Sequence, residues 1–216
     1  MSTIGIIGGT GPAGRGLAVR LAHAGHHVIV GSRDADRAQA VAAQLDPRGT
    51  GTIRGATNDV AAAGDVVVVA TPWESTIATA RALRDVLAGR TVVSMVNALS
   101  REGRELVPYT PPRGSMAAEL AATLPASAVV GAFHHLPAAL MEDLDSGLDA
   151  DVVVVGDDED AVALVADLID QVAGLHAVVA GSLSLAGAVE AFTAVCISVN
   201  IRHRVHSYVR LAGLSR

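Results

Sequence analysis

Short runs of apolar, mostly β-branched residues recur along the chain and alternate with longer Ala-rich stretches that keep a polar face. The runs are Ile4–Ile7, His27–Val30, Asp65–Ala70, Thr91–Ser94, Ala128–Ala132, Asp151–Val155 and Ala177–Val179. Several are uninterrupted Val or Ile, apolar on both faces, as strands of a parallel sheet covered on both sides must be. A weaker run at Thr52–Gly55 predicts one further strand at a sheet edge. Between the runs, Pro12–Ala24, Asp34–Leu45, Ser75–Ala88, Ser115–Leu124 and Asp158–Ala173 predict helices, two of them ended by Gly25 and Gly174. This alternation predicts a doubly wound, mostly parallel α/β sheet. Asn97 to Gly114 carries Pro108, Pro111 and Pro112 and predicts a long irregular loop. From Leu183 to about Val209 the pattern is helical and stays apolar through Val199, so the chain closes on a helix.

Composition narrows the function classes. Half of the 216 residues are hydrophobic, which excludes a disordered chain. Five aromatic residues and a net charge of −6 argue against base stacking and against a general polyanion site, so no nucleic-acid partner is expected. All 16 cations are Arg, which removes any Lys Schiff base, P-loop Lys or Lys general base. Cys196 is the sole cysteine; a disulfide within the chain and a Cys-based zinc site are excluded, and no metal site is expected. The sequence enters a strand at Thr3–Ile4 without a basic segment, and apolar runs such as Val66–Ala70 are too short for a bilayer. The expectation is a cytoplasmic protein with no membrane association. Half of the 22 acidic residues lie between Glu142 and Asp170, without one Arg, while the C-terminal end carries Arg202, Arg204, Arg210 and Arg216. Both stretches read as solvated surface.

The chemistry begins at Gly9-Thr10-Gly11-Pro12-Ala13-Gly14, a G-x-G-x-x-G turn that follows a strand and opens a helix. Gly9 permits the tight turn, Gly11 lets the backbone approach a pyrophosphate, and Gly14 lets the helix pack on the strand. The helix N-terminus offers free N–H groups to phosphate, and Pro12 sits where helices tolerate proline. The second strand ends Gly31-Ser32-Arg33 with no acid at its tip, where an NAD site has Asp or Glu on the ribose. Arg33 can fork onto a 2′-phosphate, and Arg37, one turn on, can face the same way, with the Thr10 hydroxyl nearby. Asp34 fits as the cap of the next helix. The expected nucleotide is NADP.

With these residues in place, the chain resembles the NADPH:F420 oxidoreductases, which move hydride between NADP and the deazaflavin coenzyme F420. The resemblance runs over nearly the whole sequence. It includes Ile6-Ile7-Gly8-Gly9-Thr10-Gly11, Gly31-Ser32-Arg33, Thr71-Pro72-Trp73-Glu74 and Ala132-Phe133-His134-His135-Leu136-Pro137-Ala138. Gly181-Ser182-Leu183-Ser184, Asn200-Ile201-Arg202 and Arg210-Leu211-Ala212-Gly213-Leu214 also match. It implies a Rossmann-like NADP-binding domain over 1–132 and a smaller C-terminal α/β part over 133–216 that completes the deazaflavin cleft and a homodimer interface. Thr10, Ser32, Arg33 and Arg37 would hold the 2′-phosphate, with Thr71 and Pro72 beside the dinucleotide. His134, Pro137 and the Ser94-Met95-Val96-Asn97 segment would border the deazaflavin.

Hydride transfer between two bound cofactors asks the protein for orientation, dryness and charge tuning rather than for an acid or base. His134, at the end of a strand, is the candidate for a polar contact to a ring carbonyl, in an orienting role. Arg113, Arg202, Arg204 and Arg210 are candidates for the anionic tail of the deazaflavin. The alternatives are an NADPH-dependent reductase of another small acceptor, which would want a Lys or similar proton donor, and an NADPH-sensing module without turnover.

Overall fold

The structure is a computed structural model that describes residues 1–214; Arg216 lies outside the described residues. The strands are β1 (Thr3–Ile7), β2 (His27–Ser32), β3 (Thr52–Thr57), β4 (Val66–Val69), β5 (Thr91–Ser94), β6 (Leu99–Glu102), β7 (Glu105–Pro108), β8 (Ala128–Gly131), β9 (Ala150–Gly156) and β10 (Leu175–Gly181). The helices are α1 (Pro12–His23), α2 (Ala35–Ala42), α3 (Asn58–Ala61), α4 (Trp73–Ala82), α5 (Arg84–Leu87), α6 (Met116–Thr123), α7 (Ala138–Glu142), α8 (Glu159–Asp170) and α9 (Ala186–His203). Eight strands form one sheet in the order β10-β9-β8-β5-β4-β1-β2-β3. The six from β3 to β8 run parallel in the doubly wound order, which confirms the predicted class.

The uninterrupted valines of β4 have a plain cause. Val66 and Val68 face a core with Ile4, Ile6, Leu17 and Leu21, whereas Val67 and Val69 face a second core with Ile7, Leu87 and Leu120. Successive strand side chains point to opposite faces, so a strand buried on both sides needs an apolar residue at every position. Each such burial contributes about 1.5–3 kcal/mol.

Several elements differ from the expectations. The Pro-rich loop contains a hairpin, β6–β7, turned at Gly103 (φ 60°) and ended by Pro108. It is pinned to the start of α4: Trp73 stacks on Tyr109 with ring centroids 4.8 Å apart and donates from Nε1 to the Leu99 carbonyl. The predicted helix Ser75–Ala88 is two helices, α4 and α5, and α3 and α7 were not anticipated. The last two strands reverse direction, because β9 pairs antiparallel with β8 while β10 pairs parallel with β9. Only Val155 and Gly156 of β9 pair with β8, so Ala150–Val154 run past the end of β8 and stand beside the carboxyl edge of the parallel strands.

The acidic stretch is not simply solvated. Glu142 lies 3.2 Å from Arg15, Asp145 meets Arg48 at 2.8 and 2.9 Å, and Asp149 pairs with Arg210 and His176. Asp157 accepts from the Leu183 N–H, Asp158 caps α8, and Asp170 accepts from the Ala177 N–H. The first two pairs tie this stretch to the N-terminal half of the chain, and the others tie the C-terminal third together. Length is also not a universal argument against a membrane: Leu183–His203 is long and apolar enough to cross one by length and composition. Within this stretch, however, the buried Glu190 accepts from the Met116 and Ala117 N–H groups at the start of α6, at 2.8 and 3.0 Å, and Ala186, Thr193 and Ala194 are buried as well.

Candidate functional site

The glycine turn lies between β1 and α1. The residue with a left-handed backbone is Gly8 (φ 73°), one position before the glycine expected to make the turn. Gly9 is needed for space instead: a Cβ there would stand 2.9 Å from the Ile6 carbonyl oxygen. A Cβ on Gly14 would stand 2.6 Å from the Gly9 Cα, which is the close helix–strand packing the motif implies, and one on Gly11 would meet only Gly8 O at 3.9 Å. The Gly11 backbone is therefore open to a ligand. The Gly8 N–H is held by Asn58 Oδ1 at 3.1 Å. Sequence reading missed Asn58; its signal was a polar side chain just past β3, at the carboxyl edge of the sheet where such folds bind ligands.

A cavity of about 430 Å³ opens over this turn, lined by Thr10, Gly11, Pro12, Ala13 and Gly14 from the turn and Ser32, Arg33 and Arg37 from the second strand and its helix. Thr71 and Pro72 close it from the start of α4, where the Thr71 and Thr76 hydroxyls meet at 2.8 Å. Gly9 lies behind this surface. Asp34 caps α2 by accepting from the Arg37 N–H, and Ser32 Oγ accepts from the Asp34 N–H. The acid beside the strand tip is thus committed to the helix. Arg33 and Arg37 are exposed at the rim, suited to a mobile anion at the mouth of the cleft.

A second cavity, about 250 Å³, adjoins the first, and Ala13 lines both. It is assembled from Met95 and Asn97 after β5, Phe133 to Ala138 after β8, Thr193, Cys196, Ile197 and Asn200 of α9, and Ser207 of the tail. Apart from the two imidazoles, no ionisable side chain other than the Cys196 thiol lines it, and burial pushes that thiol up. The structure does not bring Ser94 or Val96 to either surface; both are buried beneath, with Ser94 fully covered.

His134 sits in a closed hydrogen-bond knot. Asn97 Nδ2 donates to the His134 carbonyl at 3.1 Å, which leaves Asn97 Oδ1 as the acceptor 3.0 Å from His134 Nδ1. Nδ1 must then carry the proton. Thr193 Oγ1 lies 3.1 Å from Asn97 Oδ1 and 3.2 Å from the His134 carbonyl. Nε2 is buried without a partner among the described residues, directed toward Gly131, where an added Cβ would stand 3.3 Å away. Burial, and then the adjacent His135, push the imidazole down to about 3, so it is neutral at physiological pH. Its single N–H is engaged with Asn97 and is not free to meet a ring carbonyl. The bend that turns His134 inward is made by Phe133, a left-handed non-glycine residue (φ 66°) held by its burial. His135 is also pushed down by burial, and its Nε2 meets the Val189 carbonyl of α9 at 2.7 Å.

Of the proposed tail-binding arginines, Arg210 is engaged by Asp149 and Arg113 lies near Glu119, whereas Arg202 and Arg204 are exposed at the end of α9.

The match to known proteins follows this geometry. Residues 3–98 match the family model described as NADP oxidoreductase, coenzyme F420-dependent. The chain is 38% identical to the F420-dependent NADP reductase of Methanocaldococcus jannaschii, with 93% of each covered. It is 34% identical to the reductase of the same name from Methanothermobacter thermautotrophicus, covering 98% of this chain and 95% of that one. A crystal structure of a candidate F420-dependent NADP-reductase from Arthrobacter sp. FB24 superposes with a TM-score of 0.84 at 28% identity, covering 98% of this chain and all of the other.

Proposed function

Because the chain belongs to the coenzyme F420-dependent NADP oxidoreductase family, we propose that it transfers hydride between NADP(H) and F420 across the boundary of its two cavities. The observation that carries this reading is their junction at Ala13. A nicotinamide leaving the glycine turn along the first cavity arrives at the mouth of the second. When both are bound, the nicotinamide C4 and the deazaflavin C5 supply the chemistry, and the protein supplies distance and orientation.

Residues 1–132 form the dinucleotide half. Thr10, Ser32, Arg33 and Arg37 recognise the 2′-phosphate, and Gly11 to Gly14 present backbone to the pyrophosphate. Residues 133–216 complete the deazaflavin site. Met95, Phe133, Leu136, Pro137 and Ile197 give it apolar walls that fit a planar ring and exclude water. His134 is a positioning residue, which with Asn97 and Thr193 fixes the 133–137 wall. The test mixes NADPH with oxidised F420 and follows loss of the deazaflavin's visible absorbance, with NADH, FMN and FAD as controls. Bleaching with NADPH and F420 alone supports the reading; no bleaching with F420 sinks it.

The active form is a homodimer. Leu185, Ala188, Phe192, Val195 and Val199 are exposed on α9 and its entry turn at alternating spacings of three and four, the pattern of a helix that packs on another helix. A second copy of the chain covers this stripe. Val195→Glu should convert a dimer to a monomer in sedimentation; a wild-type protein that sediments as a monomer removes the reading.

A further inference from the structure

Both cavities are built on α1. Its first turn carries Ala13, and its middle carries α7, the helix that begins immediately after the His134–Pro137 wall of the second cavity. Two residues of α1 fix that approach. A Cβ on Gly16 would stand 2.6 Å from Met141 Cβ, 3.1 Å from the Ala138 carbonyl oxygen and 3.2 Å from the Glu142 nitrogen, so α7 lies as near as glycine alone permits. One turn on, the buried Arg20 donates from Nε to the Met141 carbonyl at 3.1 Å. Its Nη2 reaches the carbonyls of Leu140 (2.7 Å) and Asp143 (2.6 Å) and the Ser146 hydroxyl (2.7 Å).

The carbonyls at a helix C-terminus have no partners in their own helix. In a helix of five residues with no basic residue in its last turn, they are met by Ser146 just beyond the helix, which reaches the Leu140 and Asp143 carbonyls, and by what the neighbouring element supplies, which alone reaches Met141. A guanidinium, with several donors in a rigid fork, supplies them together and fixes direction as well as distance. Arg20 is 5% exposed, so the group is held in place by these acceptors rather than by solvent; the same burial lowers its pKa, opposed by the nearby Asp143. Arg20 lines neither cavity.

We propose that Arg20 is a positioning residue for hydride transfer: acting through α7, it sets how far the wall of the second cavity stands from the dinucleotide cleft. The proposal rests on the function proposed above. It is tested with Gly16→Ala, which pushes α7 outward without removing a hydrogen bond, and with Arg20→Lys and Arg20→Met, which weaken and remove the fork. The Kd for NADPH alone should stay near the wild-type value in all three. The single-turnover rate of hydride transfer with both substrates saturating should fall about 10- to 100-fold, the scale of a 1 Å misplacement. Arg20→Lys should retain more rate than Arg20→Met. The isotope effect with NADPH deuterated at the transferred position should rise as transfer becomes the slow step, a response that a mere loss of stability does not produce.

Wild-type transfer rates in folded Gly16→Ala and Arg20→Lys proteins would overturn the proposal, as would rate losses matched by equal losses of NADPH affinity. If Arg20→Met does not fold, Arg20→Lys and Gly16→Ala decide together. Failure of the wild-type protein to bleach F420 overturns the function itself. Wild-type bleaching with unaltered variants overturns only the role of Arg20.

Discussion

The two cavities are made in opposite ways. The first draws most of its lining from two contiguous motifs, the glycine turn and the tip of β2, and presents hydroxyls, backbone and guanidinium groups at an open rim. The second gathers five segments, from Ala13 to Ser207, around a closed knot of neutral groups. An anion at an exposed rim is recognised by charge that can adjust to it. A planar ring that must lie at a set distance from its partner needs walls that do not adjust. The first region should therefore respond to substitutions through affinity, and the second through stability and rate.

The largest effect expected from breaking this contrast is in the second region. Asn97→Ala strands the His134 Nδ1–H and removes one of two donors from the His134 carbonyl, which keeps the Thr193 hydroxyl. At about 1–3 kcal/mol for the buried donor left unpaired and about 0.5–1.5 kcal/mol for the lost hydrogen bond, chemical denaturation should register a loss on the order of 2–4 kcal/mol. A loss confined to NADPH affinity would mean that the knot is not structural.

Next comes Arg33→Ala, which removes a charge-assisted contact worth roughly 1.5–3 kcal/mol. Calorimetric titration should show NADPH binding weakened by about 10- to 100-fold and NADH binding little changed. Equal losses for both nucleotides would place Arg33 elsewhere than on the 2′-phosphate.

The buried imidazole sharpens the contrast through pH. His134 titrates near 3 in the fold, below its ordinary value of 6.5. Below 6.5 the unfolded chain binds the extra proton, so stability is lost as pH falls from 6.5 toward 3, with a slope approaching about 1.4 kcal/mol per pH unit. A folded His134→Asn variant should show a shallower slope by that amount in denaturation midpoints measured across this range. The same depressed value means that His134 imposes no inflection on kcat between pH 5 and 8; an inflection that vanishes in His134→Asn would restore a proton-transfer role.

Ser32→Ala should have the smallest effect. It removes one buried neutral hydroxyl, worth about 0.5–1.5 kcal/mol of NADPH binding, and because that hydroxyl also accepts from the Asp34 N–H it lowers stability by a similar small amount.

The same difference governs what the sequence reveals. The glycine turn, the Ser32-Arg33 tip and the Asp34 cap are local: each is a few adjacent residues whose spacing carries the geometry. The alternation of strands and helices is equally local, and it yields the parallel core. The knot is not local, since Asn97 and His134 are 37 positions apart and Thr193 a further 59. The family resemblance brings Asn97 and His134 into one site; nothing in their spacing shows that they bond to each other. Asn58 escapes for a similar reason, since it serves the turn from 50 positions away. Gly103, at the turn between β6 and β7, was a readable turn signal, masked by the prolines that follow it and by the lack of alternation in either strand. The reversal of β9 leaves no mark, because its Val-rich pattern fits a covered strand in either direction.

Ser207, on the wall of the second cavity, has a further consequence for the order in which the protein is made. Every residue lining the first cavity has been synthesised once Thr79 is added, whereas the second lacks a wall until Ser207 and the tail that Asp149 and Asp151 hold have left the ribosome. Domains fold as units during synthesis, N-terminal ones first. Under the function proposed above, a nascent chain can therefore complete its nucleotide half before the acceptor wall is finished, and a chain cut short before Ser207 would keep the nucleotide cleft and lose part of the wall that faces it.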